Sequence, residues 1–60
     1  MTTGTTIEVI GRNGSIYDAT FLSGYFFIVG KYIVEVIDGK VECTIARATK
    51  AWVSRYTPAA

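Results

Sequence analysis

Residues 25–37, YFFIVGKYIVEVI, leave a chain of this size few ways to fold. Aromatic and β-branched side chains fill the run almost without a break, and such residues suit a pleated, buried surface better than a helix. Two β-rich stretches, 25–29 and 32–37, meet at Gly30 and Lys31. We read them as one long strand bent at Gly30, where the missing Cβ lets the chain kink without a clash. A bend of this kind lets a small sheet curl. The rest of the chain is therefore expected to close around it as further strands.

A sheet in so short a chain needs support. Sixty residues bury only about 60% of the surface that the unfolded chain exposes, and small domains commonly add disulfides, a metal or self-association. Cys43 is the single cysteine and histidine is absent. An internal disulfide is thus excluded, no structural zinc site or other cofactor is expected, and a reducing, cytoplasmic setting is the simpler reading. Self-association is left by elimination. The 50% hydrophobic share fits it, because a small sphere has little interior for apolar side chains. The opening MTTGTT has neither a basic start nor an apolar run, so it is not read as a signal peptide, and residues 1–5 are expected to be a disordered tail. Residues 21–37 carry Lys31 and Glu35 and fall short of the roughly 20 apolar residues a membrane span requires. No membrane span is expected.

Ile7 and Val9, then Tyr17, Ala19 and Phe21, alternate with Glu8, Asp18 and Thr20, the period of two half-buried strands. Packing selects the loop between them. A three-residue loop, Arg12-Asn13-Gly14, sets Val9 opposite Tyr17 and Ile7 opposite Ala19, with Gly14 in the left-handed position of a bulge. It also sets Glu8 against Asp18, a like-charge pair unless a basic side chain such as Arg55 lies across it. Ser23-Gly24 is read as the next tight turn. Both alternating sets in residues 25–29 are apolar, so one of them is expected to face another subunit. Asp38-Gly39 predicts a two-residue type I′ hairpin. Its register pairs Ile37 with Lys40, Val36 with Val41, Val34 with Cys43 and Tyr32 with Ile45, and puts Glu35 against Glu42. Cys43 then lies among Val and Ile as a small core residue, not a nucleophile. Residues 47–50 interrupt the pattern, and residues 51–56 resume it as a last short strand closed by Pro58. No helical period is sustained, and residues 46–53 allow a single helical turn at most. Five strands, one strongly bent, and tight turns describe an all-β SH3-like or OB-like barrel over residues 6–58, with residues 59–60 as a C-terminal tail.

Enzymatic chemistry finds little here. Without histidine there is no serine–histidine or cysteine–histidine pair, the glycines are isolated, and the carboxylates are expected on solvent faces where nothing raises their pKa. Binding is better served. The net charge is only +1, yet all five acids lie between Glu8 and Glu42, and Arg47, Lys50 and Arg55 follow with no acid among them. Single-stranded nucleic acid is held by aromatic faces and basic groups, and Trp52 and Tyr56 stand beside those three cations, with Tyr25, Phe26 and Tyr32 as further rings.

The stretch Lys50-Ala51-Trp52-Val53-Ser54-Arg55-Tyr56-Thr57-Pro58 resembles the end of the bacterial Hfq branch of the Sm-like proteins, where a lysine-histidine pair opens the last strand and a proline closes it. Lys50, Val53, Ser54, Tyr56 and Pro58 stand where the same or a similar residue is expected; Ala51 stands in place of the histidine. Ile7-Glu8-Val9, Asn13-Gly14 and Ile16 resemble the family's first strand and turn, and residues 23–29 lie where its third strand begins. The resemblance implies an SH3-like, Sm-like barrel that forms a homo-oligomeric ring by pairing strand edges and binds single-stranded RNA without catalysis. It implies that Arg47 and Lys50 meet phosphates at the pore, with Arg55 beside them, and that Tyr25 or Phe26 stacks a base. A chain lacking the family's N-terminal helix is of the sort a phage or mobile element encodes. From a different class, an SH3-like module docking a peptide or host protein through its aromatic face or sheet edge fits the same residues.

Overall fold

Five β-strands and one short helix follow one another in a computed structural model that describes residues 1–58. The expected C-terminal tail, residues 59–60, lies outside the described residues. The strands are β1 (Thr6–Ile10), β2 (Ile16–Ser23), β3 (Phe26–Val29), β4 (Tyr32–Ile37) and β5 (Lys40–Arg47). They form a closed barrel in the order β1-β2-β3-β4-β5, the small all-β barrel that the strand pattern predicts. Every neighbouring pair is antiparallel except the seam, where β1 meets β5 in parallel at the single pair Ile10 and Lys40.

The first hairpin follows the packing argument. Ile7 lies opposite Ala19, Glu8 opposite Asp18 and Val9 opposite Tyr17, around the loop Arg12-Asn13-Gly14. Gly11 donates its N–H to the Ser15 carbonyl at 2.7 Å, Gly14 donates to the Gly11 carbonyl at 2.9 Å, and Gly14 takes φ +84°. The Asp38-Gly39 turn is equally faithful. Both residues have positive φ, 53° and 76°, as a type I′ turn requires. An L-residue other than Asn or Asp is strained there, so Gly39→Ala is expected to cost about 1–2 kcal/mol, read as a lower urea midpoint at unchanged slope.

Two expectations are corrected, and they offset each other in the strand count. Residues 25–37 do not form one bent strand: Gly30 and Lys31 turn the chain back completely, so that β3 and β4 pair as a hairpin, Val29 with Tyr32 and Phe26 with Glu35. Gly30 takes φ +59° while Lys31 does not turn positive, the sign pattern of a type II′ turn. Residues 51–56 are not a strand. They belong to α1 (Lys50–Tyr56), started by Thr49, whose Oγ1 accepts from the Trp52 N–H at 3.3 Å, and stopped before Pro58.

The barrel interior holds Val9, Ala19, Phe21, Phe27, Val34 and Val36, with the Phe21 and Phe27 rings edge to face at 5.3 Å. Ile33 and Leu22 are buried too, but outside that cluster. Strand alternation turns Ile33 and its partner Ile28 to the outer face of the sheet. The helix lies on this side: the Tyr56 ring packs on Phe26 at 4.4 Å, and Ser23 Oγ donates to the Tyr56 carbonyl. The second apolar face of β3, expected to need another subunit, is thus partly covered by the chain's own helix.

Residues 1–5, expected as a tail, run beside β2. Gly4 donates to the Phe21 carbonyl at 2.9 Å, Phe21 to the Thr5 carbonyl at 2.8 Å, and Thr3 Oγ1 to the Leu22 carbonyl at 2.6 Å.

Candidate functional site

The inward-facing residues of β2 and β4 run past the packed core and end at the barrel mouth in tyrosine. Along β2 the set is Phe21, Ala19, Tyr17; along β4 it is Val36, Val34, Tyr32. The first members of each set are buried, whereas Tyr17 is 38% and Tyr32 47% exposed. An open groove of about 710 Å³ lies at this mouth, floored by Val29, Val34 and Val41 and flanked by the Arg12-Asn13 and Gly30-Lys31 turns. Gly11, Tyr17, Asp18, Tyr32 and Thr44 complete its lining.

Tyr17 is held in place. Asn13 Nδ2 donates to the Tyr17 hydroxyl at 3.0 Å, and the same amide is oriented by its Oδ1, which accepts the Ser15 N–H at 3.1 Å. The ring lies over Gly11, where an added Cβ would collide with Cε2 and Cδ2. Glycine is needed at that position for close approach, not for backbone freedom.

Beside the groove, a cleft of about 490 Å³ is lined by Gly30, Lys31, Arg47, Ala48 and Thr49. Its position depends on a register that alternation does not predict. The β4–β5 ladder starts as expected, Ile37 with Lys40 and Val36 with Val41, then shifts twice: Glu35 meets Cys43, Val34 meets Thr44, Ile33 meets Ala46 and Tyr32 meets Arg47. Glu42 and Ile45 are the extra residues of two bulges. The expected pairs Val34–Cys43, Tyr32–Ile45 and Glu35–Glu42 are therefore not formed. Cys43 is half-buried and not the core residue expected, with its thiol 3.8 Å from Glu35 Oε1. In exchange, Arg47 stands beside Tyr32, and the Ala48 N–H closes on the Lys31 carbonyl at 2.7 Å.

Arg47 and Lys50, expected to meet phosphates, are both exposed and close in the chain at this end of the barrel, Lys50 opening α1 rather than a strand. The other expected site residues lie elsewhere. Tyr25 is 61% exposed in the β2–β3 turn, at the opposite end of β3 from Lys31, on the order of 13 Å away along the strand. Phe26 is half-buried against Tyr56. The Arg55 guanidinium lies 4.3 Å from the centre of the Trp52 ring, and among the described residues it forms no ion pair with Glu8 or Asp18.

Lys31, Tyr17 and Arg12 are the residues that reading the sequence did not assign to a site. The clue was Gly30-Lys31, a glycine-first pair between two apolar runs, which marks a hairpin turn and so brings Lys31 to the mouth. Among the described residues no cluster of three or more Cys, Asp or Glu side chains is arranged to hold a metal ion. No described helix is long and apolar enough to cross a membrane. No family model matches the chain, and neither does any curated protein or solved structure in the comparisons made.

Proposed function

We propose that this chain is a non-catalytic barrel that binds single-stranded RNA at its open mouth. One observation carries the reading: a cleft with exposed Lys31 and Arg47 opens beside an apolar, tyrosine-walled groove, and Tyr32 of that groove is the chain neighbour of Lys31 and the ladder partner of Arg47. Bases are held by rings and apolar walls, and phosphates by cations that are free to approach them. This partner class is the one the Sm-like resemblance implies. Arg47 and Lys50 are common to both sets of site residues, with Lys50 opening a helix, Lys50–Tyr56, in place of a strand; the rings differ, because Tyr25 and Phe26 lie at the far end of β3.

Self-association through strand edges belongs to the same proposal. Past Lys40, β5 is paired with β4 on one side and, among the described residues, has no strand on the other, so its outer edge is able to receive a neighbour. Light scattering on nuclease-treated protein measures this directly; a particle of several subunits is expected, and a monomer removes the ring.

A titration with fluorescent single-stranded RNA tests the binding. If Lys31, Arg47 and Lys50 each meet one phosphate, log K is expected to fall with log salt at a slope of about −2. Lys50→Ala is expected to weaken binding to all sequences and flatten that slope by about 0.7. The apolar floor of Val29, Val34 and Val41 favours a second reading, an extended peptide docked in the groove. Its affinity for an apolar peptide would hardly change with salt.

A further inference from the structure

Groove and cleft share Gly30 and Lys31 in their linings, so the two adjoin at the β3–β4 turn as the parts of a two-part depression. The parts differ in chemistry. The groove has two half-exposed tyrosines over valines; the cleft has Lys31 and Arg47. We propose that the depression seats one nucleotide unit of a single strand, its base between Tyr17 and Tyr32 and its adjoining phosphate on Lys31 and Arg47. This assignment rests on the single-strand reading above and names the subsite within it.

Three observations support it. First, the wall is pre-positioned: Gly11 lies under the Tyr17 ring, and Asn13, itself fixed by the Ser15 N–H, holds the hydroxyl. A ring already held loses less freedom when a base stacks on it, which is how preorganisation raises affinity. Second, Tyr32 and Arg47 are ladder partners, so ring and cation are set side by side by the backbone and not by flexible side chains alone. A base and its own phosphate require that kind of adjacency. Third, the rim is unbalanced in charge, with exposed Arg12, Lys31 and Arg47 against the single acid Asp18. A polyanion with aromatic units complements this surface in both respects; an apolar peptide has no use for the cations.

Fluorescence anisotropy with a labelled, mixed-sequence single-stranded RNA of about ten nucleotides provides the test, with circular dichroism to verify that each variant is folded. Tyr32→Ala and Tyr17→Ala are each expected to weaken binding by roughly 5- to 150-fold, the range for loss of one stacked base. Tyr32→Phe keeps the ring and is expected to restore the affinity. Gly11→Ala leaves every ring and charge in the chain but displaces the Tyr17 ring, and is expected to weaken binding by a smaller factor. Arg47→Ala is expected to lower affinity and flatten the salt slope by about 0.7. Tyr25→Ala, at the other end of β3, is expected to leave binding unchanged.

Wild-type protein that does not bind the RNA overturns both the subsite and the single-strand reading. Wild-type binding that survives Tyr17→Ala and Tyr32→Ala in folded protein overturns the subsite alone. So does a large loss on Tyr25→Ala, which would move the base to the opposite end of the barrel.

Discussion

Phe27→Ala is expected to remove at least about a third of the stability of this chain, and all of it at the low end of the range for a chain of this length. A chain of 60 residues has about 3–9 kcal/mol of stability in total at typical values per residue. Truncating a buried phenylalanine costs about 3–5 kcal/mol, because the lost transfer free energy is joined by that of a cavity the neighbours only partly fill. Phe27 is the least replaceable member of the interior: it is buried, sits mid-barrel on the shortest strand, and meets Phe21 edge to face. The six buried residues of that cluster include only these two aromatic rings, so no other large side chain in it is available to move into the space. Thermal unfolding followed by circular dichroism is expected to show a midpoint lowered by more than about 12 °C, or no cooperative transition. A drop of less than about 5 °C would show that the barrel is not held by this core.

Val53→Pro is expected to have the next largest effect, and it distinguishes a helix from a strand over residues 51–56. The Val53 N–H donates to the Thr49 carbonyl at 2.8 Å, the hydrogen bond that closes the first turn of α1. Proline removes that donor and its ring clashes with the same carbonyl, at a cost of about 3 kcal/mol in a helix interior. The helix cannot simply fray without further loss. Tyr56 covers Phe26, and Ser23 is tied to the Tyr56 carbonyl, so undocking uncovers the apolar outer face on which Phe26 and Ile33 lie. A fall of roughly 10–20 °C in the melting midpoint is expected, together with new binding of a hydrophobic dye. Were residues 51–56 an edge strand, proline with its missing N–H toward solvent would be tolerated and neither change would follow.

The helix was legible in part. Thr49 is a good N-cap, Thr57-Pro58 is a good stop, and Trp52 with Tyr56 is spaced for one helical face. Yet seven residues are too few for periodicity to decide, since Trp52, Ser54 and Tyr56 alternate as well as any short strand. An isolated helix of this length is marginal in water. What stabilises α1 is the sheet beneath it, which local sequence does not describe. Gly30-Lys31 presents the same ambiguity in another form: a glycine between two β-rich runs allows a kink or a reversal, and the local residues permit both. Reversal prevails because it lets Phe27 and Val29 lie in register with Val34 and Tyr32 on one face.

By itself, the sequence determined the elements whose causes are local. Asn13-Gly14 and Asp38-Gly39 place glycine where φ must be positive, and the alternation on either side then sets the register of β1 with β2 and the first pairs of β4 with β5. The all-β character follows from the same alternation. Only the tertiary structure decided the mouth. Closing five short strands into a barrel forces β5 to coil, and it does so through bulges at Glu42 and Ile45, each of which adds a residue on one strand only. Two such additions carry Arg47 to the position beside Tyr32 that a regular ladder assigns to Ile45, so a cation stands where alternation predicts an apolar side chain. The demand for those bulges arises from closure of the whole ring, a long-range geometric constraint, and no residue within β5 announces it.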